Sequence, residues 1–333
     1  MKVCHFAASK GLGRGEAYVE IANALAEIIE ISLLVPEGSL FLDRVSDKVK
    51  VIFYKERGSR RNPFQLWDLY SKLNAEKPDL VHTHFGKATE LFLSLNNFLK
   101  LPHLATKHNP RKGKIFEKVK YVTTVSAEAG QSIRNPEAKV KVIRNALTPE
   151  TSPPESNFSP AAPFPILAVG RLDPIKGFDI LLKSLAKAEF PFHLSIAGEG
   201  DDRANLENLA QHNLPRGSYS FLGFRKDIPE LVKSSALVVS SSHSEGCPMA
   251  MIEAFYYANC FLSTPVGEAA DLLPSKFLCS HQELTNKLVE IYQNYQAFRT
   301  SFREKAEELI PMFSSANIAG QYLEAYNEVL AGS

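Results

Sequence analysis

Two stretches of the chain carry cations and carboxylates at spacings suited to an anionic ligand. In VGRLDPIKGFDILLKSLA, which begins at Val169, Arg171 and Lys176 flank a turn containing Pro174 and Gly177. Two cations in one turn can both reach a diphosphate, and fixed positive charge stabilises a departing diphosphate most in the transition state. In SSSHSEGCPMAMIEAF, Pro248 suits the first turn of a helix. The N–H groups of Met249, Ala250 and Met251 would then be unmet donors at a positive helix end, which is an anion site. Glu245 lies in the loop before that helix and Glu253 on its second turn. The two are too far apart to share one helix face, so they should do different jobs. A carboxylate accepts hydrogen bonds from two sugar hydroxyls at once. One Glu for a transferred sugar and one for a nucleotide ribose is the economical assignment. A Glu pair at this spacing arises often by chance; a preceding strand, with Gly246 and Pro248 between the pair, makes it more specific. The bland alternative for Arg171 and Lys176 is surface charge in a loop.

Other residues invite competing chemistry. Gly11, Gly13 and Gly15 of SKGLGRGEAYVEIANAL precede a helix, a phosphate-cradle context. A dinucleotide fingerprint needs a third glycine at position 16, which is Glu16, although Glu37 sits where a ribose-binding acid would. His82 and His84 alternate on one strand and share a face, which suggests a metal pair. No third ligand with sensible spacing follows, and hydrogen-bonded histidines at a strand end are the plainer reading. Cys4, Cys247, Cys260 and Cys279 form no CxxC pair and read as buried thiols.

These residues need elements to hold them. Short apolar runs alternate with helical patterns. Strands are expected at Lys2–Phe6, Ile31–Val35, Val49–Tyr54, Asp79–His84, His103–Lys107, Tyr121–Val125 and Val140–Ile143. Further strands are expected at Ile166–Gly170, His193–Ala197, Tyr219–Leu222, Ala236–Ser240 and Cys260–Ser263. Helices are expected at Ala17–Ile29, Phe64–Glu76, Ala88–Leu99, Phe178–Ala188, Ala204–Asn213, Ile228–Ser234 and Ala250–Ala258. His281 to Leu330 reads as helical, interrupted by Pro311. Such alternation implies parallel sheets covered on both faces. The fold expected is therefore α/β: two doubly wound Rossmann-like domains facing each other across a cleft, with a helical C-terminal segment. The TPETSPPESNFSPAAPFP stretch from Thr148 marks a linker at 148–165. It separates a domain at 1–147 from one at 166–310, and a helix at 311–333 could cross back to the first.

The chain's 333 residues suit two domains, and 44% apolar against 23% charged residues excludes a disordered or low-complexity chain. The net charge of +1 hides an asymmetry: residues 1–150 hold 24 Lys and Arg against 16 Asp and Glu, and the remainder 14 against 21. The first half is thus +8 and the second −7. A basic half suits an anionic acceptor or an acidic membrane surface, or else serves only solubility. No run approaches the ~18 apolar residues of a membrane span, and the N-terminus lacks a signal-peptide pattern, so a cytoplasmic protein is expected.

In combination these residues resemble the retaining glycosyltransferases of family 4, which have the GT-B fold. The second half carries the resemblance in VGRLDPIKGFDILLKSLA, IAGEGDDRANLENLA, FLGFRKDIPELVKSSALVVSSS, SEGCPMAMIEAFYYANC and STPVGEAADLL. The first half agrees more loosely through the glycine turn at Gly13, PDLVHTH, ATKHN, VTTVSAEAGQSI and VIRNALTPE. The resemblance implies that Arg171 and Lys176 hold the donor diphosphate, Glu253 the ribose and Glu245 the donor sugar, with His108 beside the sugar or its leaving phosphate. It extends the donor set to Gly13, Gly198, Gly223, Phe224, Gly246, Pro248, Met249 and Ala250. It extends the acceptor set to Arg14, His84, Lys107, Arg111, Gly267 and Glu268. The chain departs from the family pattern at Leu12, at Glu268 and at Ala146, each where a glycine is usual. The resemblance implies no cofactor and no metal.

The expectation is a glycosyltransferase moving a hexose-type sugar from a UDP- or GDP-sugar to a glycan or lipid-linked, anionic acceptor, in cell-surface polysaccharide or lipopolysaccharide synthesis. It would work in the cytoplasm or peripherally on the inner membrane, and no nucleic-acid module is present. The alternatives are a nucleotide-dependent oxidoreductase using the Gly11–Gly15 turn and a non-catalytic two-domain binding protein.

Overall fold

The computed structural model describes residues 1–11, 16–111, 113–155, 159–160 and 162–332. The chain divides into two units, Met1–Thr148 with Phe313–Ser333, and Pro149–Met312.

Unit 1 is built on seven parallel strands: β1 (Lys2–Ala7), β2 (Glu30–Pro36), β3 (Lys50–Tyr54), β4 (Leu80–His84), β5 (His103–Lys107), β6 (Tyr121–Thr124) and β7 (Lys139–Val142). Their order is β3-β2-β1-β4-β5-β6-β7. Helices α1 (Ala17–Ala26), α2 (Pro63–Glu76), α3 (Phe85–Leu99) and the short α4 (Ala127–Gln131) connect them. Helix α2 starts where Asn62 caps it: its side chain accepts from the amides of Phe64 at 3.0 Å and Gln65 at 3.3 Å, and Pro63 presets the first turn. Helix α3 begins three residues before the expected Ala88, because Phe85 adopts φ of 63° and turns the chain directly out of β4.

Unit 2 holds five parallel strands, β8 (Phe164–Val169), β9 (Phe192–Ala197), β10 (Tyr219–Gly223), β11 (Leu237–Ser240) and β12 (Phe261–Ser263), in the order β10-β9-β8-β11-β12. Its helices are α5 (Phe178–Leu185), α6 (Arg203–Asn213), α7 (Ile228–Ser234), α8 (Met249–Tyr257), α9 (Glu268–Leu272), α10 (Leu284–Gln293) and α11 (Tyr295–Leu309). Strand β8 opens at Phe164, inside the stretch expected to be linker. The last helix, α12 (Ser315–Ala331), is capped by Ser314 and belongs to unit 1. There Ile318, Ala319, Tyr322, Tyr326 and Val329 pack with Tyr18, Val19, Ala22 and Leu25 of α1 in one buried cluster.

The two doubly wound α/β units match the fold class expected from the alternation. Each sheet reverses its strand order once, between β1 and β4 and between β8 and β11. In open parallel sheets the loops at the carboxyl ends beside that reversal part to opposite sides and leave a crevice for ligand. The reversal point of each unit is therefore where its site residues belong.

Candidate functional site

In unit 2 the loops after β8 and β11 meet at the reversal point. Asp173 shapes the first: its side chain accepts from the Ile175 amide at 3.0 Å and from the Arg171 guanidinium at 2.8 Å. Gly177 then lies at φ of 61°, where a Cβ would stand 2.1 Å from the Ser241 carbonyl oxygen of the second loop. Only glycine lets these loops close on each other. The Ser241 hydroxyl donates to the Lys176 carbonyl at 3.0 Å, and the His281 Nε2–H donates to the Ser241 carbonyl at 2.8 Å. So fixed, Lys176 Nζ donates to Glu245 Oε1 at 2.5 Å, and the Ser242 hydroxyl donates to the same oxygen at 2.7 Å. Arg171 remains exposed at the rim.

Helix α8 follows with Pro248 at its cap and no side chain capping it. The Met251 amide is not an unmet donor, contrary to the sequence expectation: it donates to the Pro248 carbonyl at 3.1 Å, because the first turn tightens. Met249 and Ala250 keep amides at the helix mouth with no backbone acceptor among the described residues. Glu253 is buried one turn further on. The Gly267–Glu268 turn packs against the loop that carries Glu245. The Glu268 amide donates to the Gly246 carbonyl at 2.9 Å, and a Cβ on Gly267 would stand 2.2 Å from that same oxygen. Glu268 is fully buried. Gly198 closes on the turn after β8, and its amide donates to the Gly223 carbonyl at 2.8 Å. Phe224 stands exposed beside Gly223. Arg171, Lys176, Glu245, Gly246, Gly198, Gly223, Pro248, Met249, Ala250, Glu253, Gly267 and Glu268 therefore all lie at one edge of one sheet. Cations, helix-mouth amides and carboxylates together suit a diphosphate joined to two polyhydroxy groups.

In unit 1 the reversal point is filled with histidine. Strand β4 is buried throughout, yet three of its five residues are polar: His82, Thr83 and His84. Register places His5 of β1 beside His82. The expectation that no third ligand-type residue accompanies His82 and His84 is thereby corrected: ligand atoms of His5, His82 and His84 lie within 4.8 Å of one another. His5 is recruited across the sheet rather than along the chain, so linear spacing could not reveal it. His5 Nδ1 lies 3.0 Å from His84 Nε2, and His84 Nδ1 lies 3.2 Å from His108 Nε2. The Tyr326 hydroxyl lies 3.0 Å from His5 Nε2 and 2.9 Å from His82 Nδ1. His82 Nε2 lies 2.6 Å from Thr106 Oγ1. Every ring nitrogen of the three buried histidines thus has a hydrogen-bond partner, as buried polar groups require. Burial holds all of these rings neutral: desolvation lowers His5 and His108 to about 3 and pushes His82 and His84 well below the ordinary histidine value.

His108 stands half-buried at the rim, stacked on Phe85 with ring centroids 4.2 Å apart. Phe85 holds a φ sparsely populated for a side chain with a Cβ, a strain of order 1–3 kcal/mol of the kind that gathers at ligand sites. His84 reaches His108 but is fully buried with both ring nitrogens paired, so it offers no atom to an acceptor, contrary to the expectation. Lys107 does not join them. Strand alternation sends its side chain to the other face of the sheet, where its ammonium bonds the Ser132 hydroxyl and lies 5.8 Å from the Phe116 ring centroid. Desolvation there lowers its pKa. Arg111 is exposed in the loop after β5. Gly13 and Arg14 lie outside the described residues. Sequence reasoning missed Tyr326, Thr106 and His5 altogether.

Residues 15–151 match the family described as Glycosyltransferase Family 4, and residues 152–309 match Glycosyl transferases group 1. The chain is similar to an uncharacterized glycosyltransferase of Haemophilus influenzae, 26% identical over 82% of this chain and 83% of that protein. It is also similar to a Campylobacter jejuni protein named as a GalNAc-alpha-(1->4)-GalNAc-alpha-(1->3)-diNAcBac-PP-undecaprenol alpha-1,4-N-acetyl-D-galactosaminyltransferase, 23% identical over 99% of each chain. Among solved structures, Anabaena Alr3699/HepE in complex with UDP and glucose superposes with a TM-score of 0.83 at 18% identity, covering 98% of this chain and 100% of that one. No helix among the described residues is long and apolar enough to cross a membrane.

Proposed function

The chain belongs to the family 4 glycosyltransferases and has their GT-B fold, and from that premise we propose that it moves a hexose-type sugar from a UDP- or GDP-sugar to a glycan or lipid-linked acceptor with retention at the anomeric carbon. The observation that carries this reading is the gathering of Arg171, Lys176, Glu245 and the open helix mouth of α8 at the reversal point of unit 2. Arg171 and Lys176 hold the diphosphate, the amides of Met249 and Ala250 take its outer oxygens, Glu253 holds the ribose, and Glu245 holds the sugar. The acceptor hydroxyl attacks the anomeric carbon on the face the phosphate leaves. Its oxygen forms the new C–O bond, the bond to phosphate breaks, and the departing phosphate oxygen takes the hydroxyl proton. Side-chain cations and a helix N-terminus stabilise the charge on the leaving group, so the reaction proceeds without a divalent ion. Gly267 borders the acceptor, with Glu268 buried behind it.

The acceptor is anionic and lies at a membrane. Two features of unit 1 support this. Residues 1–150 carry a net charge of +8, and helix α2 exposes Phe64 at 68% and Trp67 at 70%, with the Arg57 guanidinium 5.9 Å from the Phe64 ring centroid. Aromatic rings and cations side by side suit an anionic bilayer surface. The name of the Campylobacter jejuni relative, which specifies an undecaprenol diphosphate-linked glycan, agrees with it. On this reading the enzyme acts peripherally at the cytoplasmic face of the inner membrane in cell-surface polysaccharide or lipopolysaccharide synthesis.

A thermal-shift panel of UDP-, GDP- and ADP-sugars with NADH tests the reading. Stabilisation by one nucleoside-diphosphate class is the expected result. Stabilisation by NADH alone would favour an oxidoreductase and overturn it.

A further inference from the structure

The histidine cluster of unit 1 forms a single unbranched chain of hydrogen bonds. From one end it runs Thr123, Thr106, His82, Tyr326, His5, His84, His108. The links measure 2.6 Å between the threonine hydroxyls, 2.6 Å to His82 Nε2, 2.9 Å from His82 Nδ1 to Tyr326, 3.0 Å on to His5 Nε2, 3.0 Å from His5 Nδ1 to His84 Nε2, and 3.2 Å from His84 Nδ1 to His108 Nε2. It draws on β1, β4, β5, β6 and α12, and all its members but His108 are buried. A neutral imidazole carries one N–H and one bare nitrogen, and a hydroxyl carries one proton. An imidazole passes the direction from one nitrogen to the other, and a hydroxyl that accepted from both sides at Thr106 or Tyr326 would strand its own proton in the buried interior, so the chain runs one way throughout.

The Thr123 end selects the direction. Thr123 is 1% exposed, and its hydroxyl has Thr106 as its one hydrogen-bond partner among the described residues. If Thr106 donated to Thr123, the Thr123 proton would be buried with no acceptor. A buried donor left unmet costs more than a spare lone pair. Thr123 therefore donates to Thr106, Thr106 to His82 Nε2, His82 Nδ1–H to Tyr326, Tyr326 to His5 Nε2, His5 Nδ1–H to His84 Nε2, and His84 Nδ1–H to His108 Nε2. The Tyr326 hydroxyl is the bridge between His82 and His5, so the C-terminal helix completes the chain.

We infer that this chain fixes His108 as a one-way hydrogen-bond donor, with its proton on Nδ1 and directed away from His84. All four rings then hold the Nδ1–H tautomer, the minor one for an unconstrained neutral histidine. His108 Nδ1 has no partner among the described residues, which leaves it to meet a ligand oxygen. Resting on the proposed sugar transfer, that oxygen belongs to a substrate hydroxyl or phosphate. Thr123, Tyr326, His5 and His84 are positioning residues, and they act by setting which atom of His108 carries the proton. The same occupancy argues against a metal here, since every nitrogen of the cluster that would ligate is already paired within it.

The test is long-range 1H–15N correlation of the protein labelled at histidine, which reads each ring nitrogen as protonated or bare. Nδ1–H on His5, His82, His84 and His108 is expected. Nε2–H on His108, or a mixture, would overturn the inference, as would ring signals that EDTA shifts and Zn²⁺ restores. In Tyr326→Phe the hydrogen-bonded His82 Nδ1–H resonance should be lost; its persistence unshifted would show that Tyr326 is not the bridge. Turnover supplies a second readout. An asparagine amide overlays Nδ1 and a glutamine amide overlays Nε2, so His108→Asn should stay within about tenfold of wild type while His108→Gln falls at least a hundredfold. The reverse order would overturn the inference. Wild-type turnover in both, with the Nδ1–H tautomer intact, would instead remove His108 from the ligand and leave the chain standing.

Discussion

Lys176 Nζ and Glu245 Oε1 stand 2.5 Å apart, one carried by the turn after β8 and the other by the loop after β11. The strands that deliver them are neighbours at the point where the sheet of unit 2 reverses its order. Both side chains are largely buried, 23% and 13% exposed, so the pair is screened less than a surface pair. In the proposed function, a diphosphate arriving beside Arg171 would meet a cation already held in place, and its hydroxyl-bearing neighbour would meet a carboxylate.

Removing that cation should cost turnover more than stability. Arg171→Ala and Lys176→Ala should each slow release of nucleoside diphosphate from the donor by roughly 10²–10³, the ~2.7–4 kcal/mol typical of a lost transition-state stabiliser. Circular dichroism should show both variants folded. Activity within tenfold of wild type in both would sink the assignment.

On the proposed mechanism, in which cationic side chains and the α8 amides take the place of a divalent ion, turnover should survive excess EDTA. A complete loss, restored by Mg²⁺ or Mn²⁺, would contradict this.

Membrane attraction should follow charge and salt. Reversing Arg57, Arg60, Arg61 and Arg111 to Glu should weaken co-sedimentation with anionic vesicles at low salt, by about 1 kcal/mol for each residue near the surface. High salt should weaken the wild type likewise, since screening shortens the field to ~8 Å or less. Nucleotide affinity should not change, because none of those residues belongs to the proposed donor set. Wild type and variant sedimenting equally would leave a soluble acceptor.

Acid should unfold unit 1 through its histidines. Burial depresses His5, His82 and His84 below the ordinary value near 6.5. The unfolded chain therefore binds more protons in that range, and stability rises with pH. It is lost as pH falls below about 6.5, by about 1.4 kcal/mol per pH unit for each ring that stays neutral in the fold. Thermal melts from pH 7 to 4.5 should show a steep fall in Tm, and hydrogen exchange should place the first opening at β1 and β4. A flat profile over that range would mean that these rings are not held neutral.

The sequence made unit 2 more readable than unit 1, for a physical reason. Arg171, Lys176 and Gly177 act within one turn, and Glu245 through Glu253 within one loop and helix, so their spacing carries their geometry. The histidine chain has no local spacing: His5 meets His84 across 79 positions and Tyr326 across 321, through strand pairing and a helix from the other end of the chain. Lys107 shows a different failure. The alternation that puts Thr106 beside His82 sends the next side chain to the opposite face, and a motif read as a string of letters hides that period. The strand and helix pattern survived because burial imprints itself on the inner strands such as β1, β4, β5, β8 and β11, while the edge strands β3, β7 and β10 are only partly buried.

The most direct measurement follows backbone amide signals while UDP or GDP, whichever stabilises the protein more, is titrated into labelled protein. The account predicts that the largest shifts fall on Met249, Ala250, Gly246 and Gly170 around the α8 mouth, and that Lys176→Ala weakens the titration. Shifts confined to the turn around Gly11 in unit 1, or no saturable shift with either nucleotide, would contradict it.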